Sequence, residues 1–303
     1  MSDAPVVWVT GSSGMLGQDV VAAVREAGCG IVATDREVDI TNSNAVAGVW
    51  QQHSGISWIV NCAAWTAVDA AEEHEDQARA LNVLGPAVLA RSAKDHGAAI
   101  IHISTDYVFS GPRTIPFAPD DPPAPAGVYG KTKREGEQAV SEACDRSIIL
   151  RTAWLYGIGG SNFVHTMLRL MRERTTIRVV ADQYGLPTWT VDLAHAIVRI
   201  LSNTNAQKPW GVYHFTNAQQ PGVEAPGISW HQFAMAIFAA GQDANLLSRD
   251  CAIEPITTRE YPTSAPRPAF SVLDSSKTRK IFGAEQPDWR SSLTRFIRSI
   301  SDP

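Results

Sequence analysis

Tyr129 and Lys133 are the residues whose types and spacing point most directly to chemistry. They form a Tyr-x-x-x-Lys pattern at the start of a segment with helical periodicity, and a separation of four places both side chains on one face of a helix. A phenol titrates at about pH 10, so a neighbouring ammonium is needed to make it an acid at neutral pH. The pair therefore predicts a general acid, Tyr129, that supplies one proton during carbonyl reduction. Taken alone, the spacing also fits a surface pair of an aromatic residue and a lysine.

Two hydroxyl side chains, Ser104 and Thr105, follow a predicted buried strand. In an open parallel sheet the ligand crevice lies outside the carboxyl ends of the strands. A hydroxyl there can donate to a substrate carbonyl, and the bond strengthens as charge develops on the oxygen. Either residue alone could cap a turn. Together with Tyr129 and Lys133, they predict a reductase site.

A glycine-rich turn follows the first predicted strand, and its sequence is Gly11-Ser12-Ser13-Gly14-Met15-Leu16-Gly17. The first glycine permits a tight turn, the second lets the backbone approach a pyrophosphate, and the third lets the helix pack on the strand. The start of the helix then favours the anion. A βα turn without a ligand is the alternative for the glycines alone, but the order of strand, turn and helix favours a dinucleotide site.

Asp35 and Arg36 stand at the end of the second predicted strand. A carboxylate there hydrogen-bonds the adenosine ribose and disfavours a 2′-phosphate, whereas a guanidinium can pair with that phosphate. The two side chains therefore favour different cofactors, Asp35 favouring NADH and Arg36 favouring NADPH. The sequence predicts NADPH or NADH as cofactor, with a slight preference for NADPH.

The elements that position these residues alternate as short apolar runs and helical periods, which is typical of βαβ units around a parallel sheet. In the first half, strands are predicted at residues 6–9, 31–34, 58–61, 100–103 and 148–150, and helices at 15–27, 43–52, 77–96 and 129–143. Residues 111–127 are rich in proline and are predicted to form a loop.

The second half has a looser pattern. Helices are predicted at residues 163–173, 191–202, 230–240 and 289–300, strands at 177–180 and 212–215, and interruptions rich in proline and glycine at 220–227 and 262–268. The predicted fold is α/β. A Rossmann-type doubly wound parallel sheet occupies residues 1–155, and residues 156–303 form a smaller α/β substrate lobe, part of which returns to the sheet.

Composition narrows the class of partner. The chain has 303 residues, 44% of them apolar, and a net charge of −5, so no basic surface indicates nucleic acid or an anionic membrane. Its four cysteines form no Cys-x-x-Cys pair, which favours reduced thiols. The first ten residues lack the features of a secretory signal, and no apolar run is long enough for a membrane span. We expect a cytoplasmic enzyme that acts on a small molecule.

Eight motifs extend along almost the whole chain. They are GSSGMLG (11–17), DIT (39–41), NCAAWTAVDAAE (61–72), STDYVFSG (104–111), YGKTKREGE (129–137), LRTAWLYG (150–157), DQYGLPT (182–188) and EYPTSAPRPAFSVLD (260–274). With them the chain resembles the extended short-chain dehydrogenase/reductases, and within these the dTDP-4-dehydrorhamnose reductase family. The last two motifs are the most specific, because general members of the superfamily lack them.

The resemblance implies hydride transfer from NAD(P)H to dTDP-4-dehydro-6-deoxy-L-mannose, giving dTDP-L-rhamnose in the last step of dTDP-rhamnose biosynthesis. It implies a catalytic trio of Thr105, Tyr129 and Lys133. The cofactor contacts that the residues and the resemblance together predict are Gly11, Ser12, Ser13, Gly14, Met15, Leu16, Asp35, Arg36, Asp39, Ile40, Cys62, Ala63, Ala64, Thr66, Tyr129 and Lys133. The predicted substrate contacts are Ser104, Asp106, Tyr107, Trp154, Asn162, Gln183 and Arg267.

Some members of that family dimerise around a magnesium ion held by carboxylates, one of them just after a tryptophan in the C-terminal helix. Here Arg290 follows Trp289, which weighs against such a site. Asp19 and Asp192 are interpreted as helix-surface acids. We therefore predict no metal site, and a homodimer stays open.

Three other functions fit parts of the pattern. A 4,6-dehydratase or epimerase of the same fold is disfavoured, because dehydratases carry Asp-Glu after the catalytic threonine, whereas Asp106 and Tyr107 follow Thr105 here. A non-catalytic nucleotide-binding subunit, similar to the regulatory β subunit of methionine adenosyltransferase, has no need of the complete trio. A reductase of a related deoxysugar or of another nucleotide carrier remains the third alternative.

Overall fold

A six-stranded parallel sheet forms the centre of the computed structural model, which describes residues 4–203, 209–220 and 226–301. The strands are β1 (Val6–Thr10), β2 (Gly30–Thr34), β3 (Ile56–Asn61), β4 (Ala99–Thr105), β5 (Ser147–Thr152), β6 (Leu155–Tyr156), β7 (Thr176–Val180), β8 (Tyr184–Gly185), β9 (Thr188–Trp189), β10 (Gly211–His214), β11 (Ile228–Ser229) and β12 (Ala252–Ile256). The order in the central sheet is β10-β5-β4-β3-β1-β2. The chain leaves β1 for β2 on one side and later reaches β3 on the other, and a ligand crevice opens where the strand order reverses in this way.

Helices cover both faces of the sheet. They are α1 (Met15–Glu26), α2 (Ser43–Gln52), α3 (Val68–Glu73), α4 (Glu75–Arg79), α5 (Gly85–Asp95), α6 (Val128–Ala143), α7 (Phe163–Glu173), α8 (Thr190–Asn203), α9 (Trp230–Asp243), α10 (Ser276–Phe282) and α11 (Trp289–Ser301). Successive residues of a strand point to opposite faces. Val7 and Val9 accordingly pack with α1 and α8, and Trp8 packs with α2 and α5. The predicted Rossmann-type α/β fold is confirmed.

The second half of the chain adds a strand to the central sheet and also forms a separate apolar core. β10 pairs with β5 at the edge of the central sheet, while β7 and β12 form a separate parallel pair. Helices α7, α9 and α11 pack around a third apolar cluster that includes Phe233 and Phe296. The return of one strand to the sheet is confirmed. The division into two domains at residue 155 stays a prediction.

Most predicted elements lie within a few residues of the observed ones, with one clear error. The single helix predicted at residues 77–96 is wrong, because α4 and α5 flank a π-helical turn, Ala80–Leu84. Asn82 in that turn accepts from the backbone N–H of Trp65 at 2.9 Å and donates to Thr132 Oγ1 at 3.1 Å. The wider turn brings the Asn82 side chain to these two partners.

Other differences are omissions. The sequence patterns did not predict α3, α10 or β12. Residues 111–127 form neither a helix nor a strand, apart from one bridge between Phe117 and Leu273, so the predicted loop is confirmed. Part of the predicted interruption at 220–227, residues 221–225, lies outside the described residues.

Candidate active site

The three predicted catalytic residues are brought together where β4 ends and α6 begins. Thr105 is the last residue of β4, and Tyr129 and Lys133 lie in the first turns of α6. Thr105 is buried, and its hydroxyl donates to Asp106 Oδ1 at 3.0 Å and accepts from the backbone N–H of Tyr107 at 3.2 Å. These two bonds fix the hydroxyl at the carboxyl edge of the sheet.

Tyr129 is protonated in this environment. Burial raises the pKa of its phenol to about 12; a side-chain interaction with Thr105 lowers this pKa and the charge of Asp106 raises it. A raised pKa keeps the proton on the oxygen at neutral pH, which is the form that a proton donor needs. The ring packs edge to face against Tyr107, with 5.4 Å between the centroids.

Lys133 reaches from α6 to the back of the site and is almost fully buried. Its Nζ donates to the carbonyl oxygen of Ile103 at 2.6 Å and lies 3.5 Å from His102 Nε2. Burial lowers the pKa of Lys133 to about 8, and the charge of Glu137 opposes that change. That Lys133 lowers the pKa of Tyr129 stays a prediction.

Ser104 points into a buried ionic network. Its hydroxyl donates to Glu137 Oε1 at 2.6 Å, and Glu137 also accepts two bonds of 2.7 Å from Arg151 and one of 2.9 Å from Arg134. These bonds hold the pKa of Glu137 below its usual range although burial opposes them. Glu137 and Arg151 were missed in the sequence, where the only signal was that Glu137 falls one turn after Lys133.

Asp106 is a buried carboxylate at the rim of the site. Burial raises its pKa to about 6, and the nearby hydroxyls of Ser271 and Thr105 oppose this. Its Oδ2 accepts no hydrogen bond from the part of the chain that the structure describes. A buried polar atom without a hydrogen-bond partner is rare in folded proteins and calls for one, such as a ligand hydroxyl or an ordered water.

Arg267 joins the second half of the chain to the first. Its Nη2 lies 2.6 Å from Asp69 Oδ2, and its Nη1 donates to the carbonyl oxygen of Ala265. The guanidinium carbon lies 6.0 Å from the centre of the Tyr107 ring. The predicted substrate contacts Arg267 and Tyr107 are therefore neighbours at the catalytic edge.

Three other predicted substrate residues have partners within the protein. Asn162 caps the start of α7, where it accepts from the backbone N–H of His165 at 3.1 Å, and it donates to the carbonyl oxygen of Gly157 at 2.8 Å. Gln183 donates to Thr258 Oγ1 at 3.1 Å. Trp154 stacks on Trp230 with 3.4 Å between the ring centroids, and its backbone φ of 48° is uncommon for a bulky residue.

The glycine turn has the backbone shape that a dinucleotide requires. Gly11 has a φ of 67°, and a Cβ there would lie 2.7 Å from the backbone nitrogen of Ala63. A Cβ on Gly17 would lie 2.1 Å from the carbonyl oxygen of Gly11, so the helix packs closely on the turn as predicted. Gly14 immediately precedes α1 and provides no side-chain cap, which leaves the start of that helix open to an anion.

The remaining predicted cofactor residues surround this turn. Asp35 accepts from the backbone N–H of Ser13 at 3.1 Å. Arg36 is exposed and has no hydrogen bond or ion pair with any described residue. Asp39 accepts from Thr41, and Ile40 is buried against Gly85. Cys62, Ala63, Ala64 and Thr66 follow the end of β3.

Cys62, a predicted cofactor contact just after β3, has a protonated thiol. Burial raises the pKa of Cys62 to about 12, although the charge of Lys133 opposes this. Its backbone N–H donates to the carbonyl oxygen of Thr10 at 3.1 Å. Cys62 therefore contributes a neutral wall beside the cradle.

The interpretation of Asp192 as a helix-surface acid is wrong. Its side chain is buried, accepts from Asn217 Nδ2 at 2.7 Å and also accepts from Ser292. Asp19 is half-buried, and burial raises its pKa. Across the described ranges, no group of three or more His, Cys, Asp and Glu side chains could hold a metal ion. None of the helices described is both long and apolar enough to cross a membrane.

A dinucleotide cradle on a Rossmann-type sheet, beside a strand-end threonine and a Tyr-x-x-x-Lys helix, defines a nicotinamide-dependent short-chain reductase. Residues 6–301 match the family model described as the RmlD substrate binding domain, and the chain belongs to that family.

Its relatives are similar over nearly their full length. The dTDP-4-dehydrorhamnose reductase of Aggregatibacter actinomycetemcomitans is 39% identical over 97% of this chain and 98% of its own. A probable dTDP-4,6-dihydroxy-2-methyloxan-3-one 4-ketoreductase of Streptomyces antibioticus is 40% identical over 96% of this chain and 94% of its own. The dTDP-4-dehydrorhamnose reductase of Bacillus anthracis, solved in complex with NADP, is 35% identical and has a TM-score of 0.87 over 98% of this chain and 99% of its own.

Proposed function

We propose that this chain reduces the 4-keto group of dTDP-4-dehydro-6-deoxy-L-mannose with NAD(P)H and forms dTDP-L-rhamnose. The observation that carries the proposal is the meeting of Thr105 and a protonated Tyr129 at the carboxyl end of β4. The family of the chain, and the substrates named for its relatives, support the nucleotide sugar.

The residues of the cradle fit a nicotinamide dinucleotide. The uncapped start of α1 and the tight turn that Gly11 permits suit its pyrophosphate. Arg36, two residues beyond β2, pairs with no residue of the described ranges and suits a 2′-phosphate, which agrees with the NADP bound to the Bacillus anthracis relative. When bound, the nicotinamide supplies the hydride that reduces the carbonyl carbon.

The chain's own residues handle the proton and the carbonyl oxygen. Thr105 holds the oxygen at the end of β4, where its hydroxyl is already fixed by Asp106 and Tyr107. Tyr129 keeps a proton on Oη and gives it to that oxygen as negative charge develops there. Lys133 contributes a cation at the back of the site and hydrogen bonds to the cofactor ribose. Together these groups supply the one proton that must accompany the hydride.

The sugar and its diphosphate lie between the two halves of the chain in this proposal. Asp106 Oδ2 accepts from a sugar hydroxyl, and the indole of Trp154 offers an apolar face to the deoxysugar. Arg267 uses its planar fork on the diphosphate. Tyr107 does not replace the missing carboxylate of a dehydratase, because burial raises the pKa of its phenol well above the ordinary value.

A second candidate function is the reduction of a different dTDP-linked 4-keto sugar. The Streptomyces antibioticus relative is as similar to this chain as the rhamnose enzyme is, and its probable substrate differs. Regulation of a synthetase as a non-catalytic subunit is less well supported, since Thr105, Tyr129 and Lys133 are all in place. A cytoplasmic location, a homodimer, the absence of nucleic-acid and membrane partners, and a domain boundary at residue 155 stay predictions.

The test is oxidation of NADPH, and in parallel of NADH, with dTDP-4-dehydro-6-deoxy-L-mannose as substrate. Chromatography separates dTDP-L-rhamnose from its C4 epimer and from a sugar that has lost a hydroxyl group. We expect dTDP-L-rhamnose and faster turnover with NADPH. Formation of product without added reduced cofactor would contradict the proposal, and preferred turnover of another keto sugar would favour the second candidate.

A further inference from the structure

A buried row of polar side chains runs behind Lys133 across three neighbouring strands. Thr10 ends β1, Asn61 ends β3 and His102 lies in β4, and each of the three is at most 1% exposed. Lys133 contacts the far end of the row, with 3.5 Å between its Nζ and His102 Nε2. The resemblance to known reductases assigned no role to Asn61 or His102.

The orientation of the Asn61 amide is fixed by a group that can only donate. The backbone N–H of Ala63 lies 3.1 Å from Asn61 Oδ1, so this atom must be the oxygen. Thr10 Oγ1 donates to the same oxygen at 2.8 Å. The amide nitrogen, Nδ2, is therefore the atom that faces His102 Nδ1, at 3.0 Å.

This orientation determines which nitrogen of His102 carries the proton. An amide nitrogen donates and does not accept, so His102 Nδ1 must be the bare, accepting nitrogen. Burial and the charge of Lys133 hold the pKa of His102 well below its ordinary value, so the ring is neutral and has a single proton. That proton is on Nε2, the nitrogen that faces Lys133.

We propose that His102, locked by Asn61 with its proton on Nε2, is a positioning residue that directs the ammonium of Lys133 outward, toward Tyr129 and the cofactor. This inference rests on the proposed reductase function. A bare Nε2 would be a second acceptor beside the carbonyl oxygen of Ile103, and two acceptors would hold the ammonium against the sheet. An N–H at the same place opposes the ammonium and leaves one inner acceptor, at 2.6 Å.

Other groups around Lys133 do not replace this effect. Glu137 on α6 favours the charged lysine, whereas burial disfavours it, and Cys62 after β3 is a neutral thiol. Glu137 is already bonded to Ser104, Arg151 and Arg134, and Tyr129, which is neutral, lies one turn before Lys133 on α6. The N–H of His102 is thus the directional element on the inner wall.

The first test is long-range ¹H–¹⁵N correlation NMR of the ¹⁵N-labelled full chain, with His102→Gln used to assign the ring signals. We expect a neutral imidazole that has a protonated Nε2 and a bare Nδ1. A protonated Nδ1 would overturn the inference. This result does not depend on any enzymatic activity, so it separates failure of the inference from failure of the proposed function.

The second test uses Asn61→Asp, a change of nearly the same shape. The carboxylate still accepts from Ala63 and Thr10, but it can also accept from a protonated Nδ1 of His102. The His102 proton therefore moves from Nε2 to Nδ1. The bare Nε2 then becomes an acceptor for Lys133. We expect the NMR spectrum to show a protonated Nδ1 and a bare Nε2 in His102. We also expect the KM for NADPH to rise. The pH at which kcat/KM for reduction falls on the basic side should move upward by about one unit.

The added charge is controlled with the double variant Asn61→Asp/His102→Leu, which keeps the carboxylate and removes the ring. We expect it to lose most of the upward shift. An equal shift in both variants would mean that charge alone acts on Lys133, and the positioning role of His102 would be wrong. If the unaltered chain reduces no keto sugar while its NMR signature is as expected, the proposed function fails and the tautomer assignment stands.

Discussion

The phosphate cradle, residues 11–17, and the substrate wall, Trp154 with Asn162, Gln183 and Arg267, are built in different ways. In the cradle the important groups are backbone atoms, and their positions depend on Gly11 and Gly17, where a Cβ would lie within 3 Å of other backbone atoms. In the wall each predicted side chain already has a protein partner. A cradle of this kind is ready for its ligand, whereas the wall must exchange existing contacts for new ones. The difference teaches that glycine spacing between a strand and a helix reports the backbone shape of a site directly, while a polar side chain is evidence for a site only once its partners are known.

Tyr129→Phe, at the place where the cradle and the wall meet, should have the largest effect on the rate of reduction. Removing the phenolic hydroxyl leaves both the cradle and the wall intact, so we expect reduction to fall about a thousand-fold with little change in NADPH affinity. Single-turnover kinetics and fluorescence titration of NADPH measure the two quantities. Near-normal turnover would show that another group supplies the proton.

Gly11→Ala tests the claim that the cradle depends on backbone shape. A Cβ there meets Ala63 and is strained at a φ of 67°, so we expect about 2 kcal/mol of lost stability and about a hundred-fold weaker NADPH binding. Thermal unfolding and calorimetric titration measure these. Gly48→Ala is the matched control, because a Cβ inside α2 meets nothing within 4 Å; it should stabilise the chain by about 0.5 kcal/mol. Equal losses in both variants would refute the claim.

Asp106→Asn tests whether the buried charge of Asp106, at the rim of the site, lowers the free energy of unfolding. The pKa of Asp106 is raised from 3.8 to about 6, so the folded chain binds more protons than the unfolded chain between these values, and stability falls as pH rises through this window. The variant should therefore gain about 2 kcal/mol at pH 8 and almost nothing at pH 4. Urea unfolding at both pH values measures this. A gain that is the same at both would mean that burial of the charge is not the cause.

Arg267→Lys has the smallest expected effect and tests the substrate wall. Lysine keeps the charge opposite Asp69 but lacks the planar fork for a diphosphate. We expect the KM for the dTDP sugar to rise about ten-fold while kcat and the KM for NADPH change little. Arg178→Lys is the control, because Arg178 pairs with Glu260 in the same half of the chain. A comparable rise in KM for the control would point to general loosening of the wall.

Much of the fold and part of the site could be predicted from the sequence. Strands β1 to β5 are short apolar runs, and their residues point into the cores on both faces, so local composition was sufficient. That Thr105, Tyr129 and Lys133 lie together was predictable, because one strand end and the spacing along one helix place them there; their catalytic roles stay a prediction. The π-helical turn was not, since it depends on bonds from Asn82 to Trp65 and to Thr132, 50 residues later.

The supporting polar groups were beyond sequence analysis for the same reason. His102 meets Asn61 from 41 residues away, and Asp192 meets Ser292 from 100 residues away. No local pattern distinguishes a buried, bonded carboxylate from one on a helix surface. Such pairs become visible only when the sheet order and helix packing are known.

The ion pair between Asp69 and Arg267 also has a consequence for synthesis of the chain. These partners are 198 residues apart, so the ribosome completes β1 to β5 and the glycine turn well before it adds Arg267. A newly made chain can thus assemble its dinucleotide cradle while the wall is still incomplete. If the C-terminal halves of two relatives were exchanged, the new half would have to supply an arginine that pairs with Asp69. Without it, the crevice would lack this ion pair between its two sides.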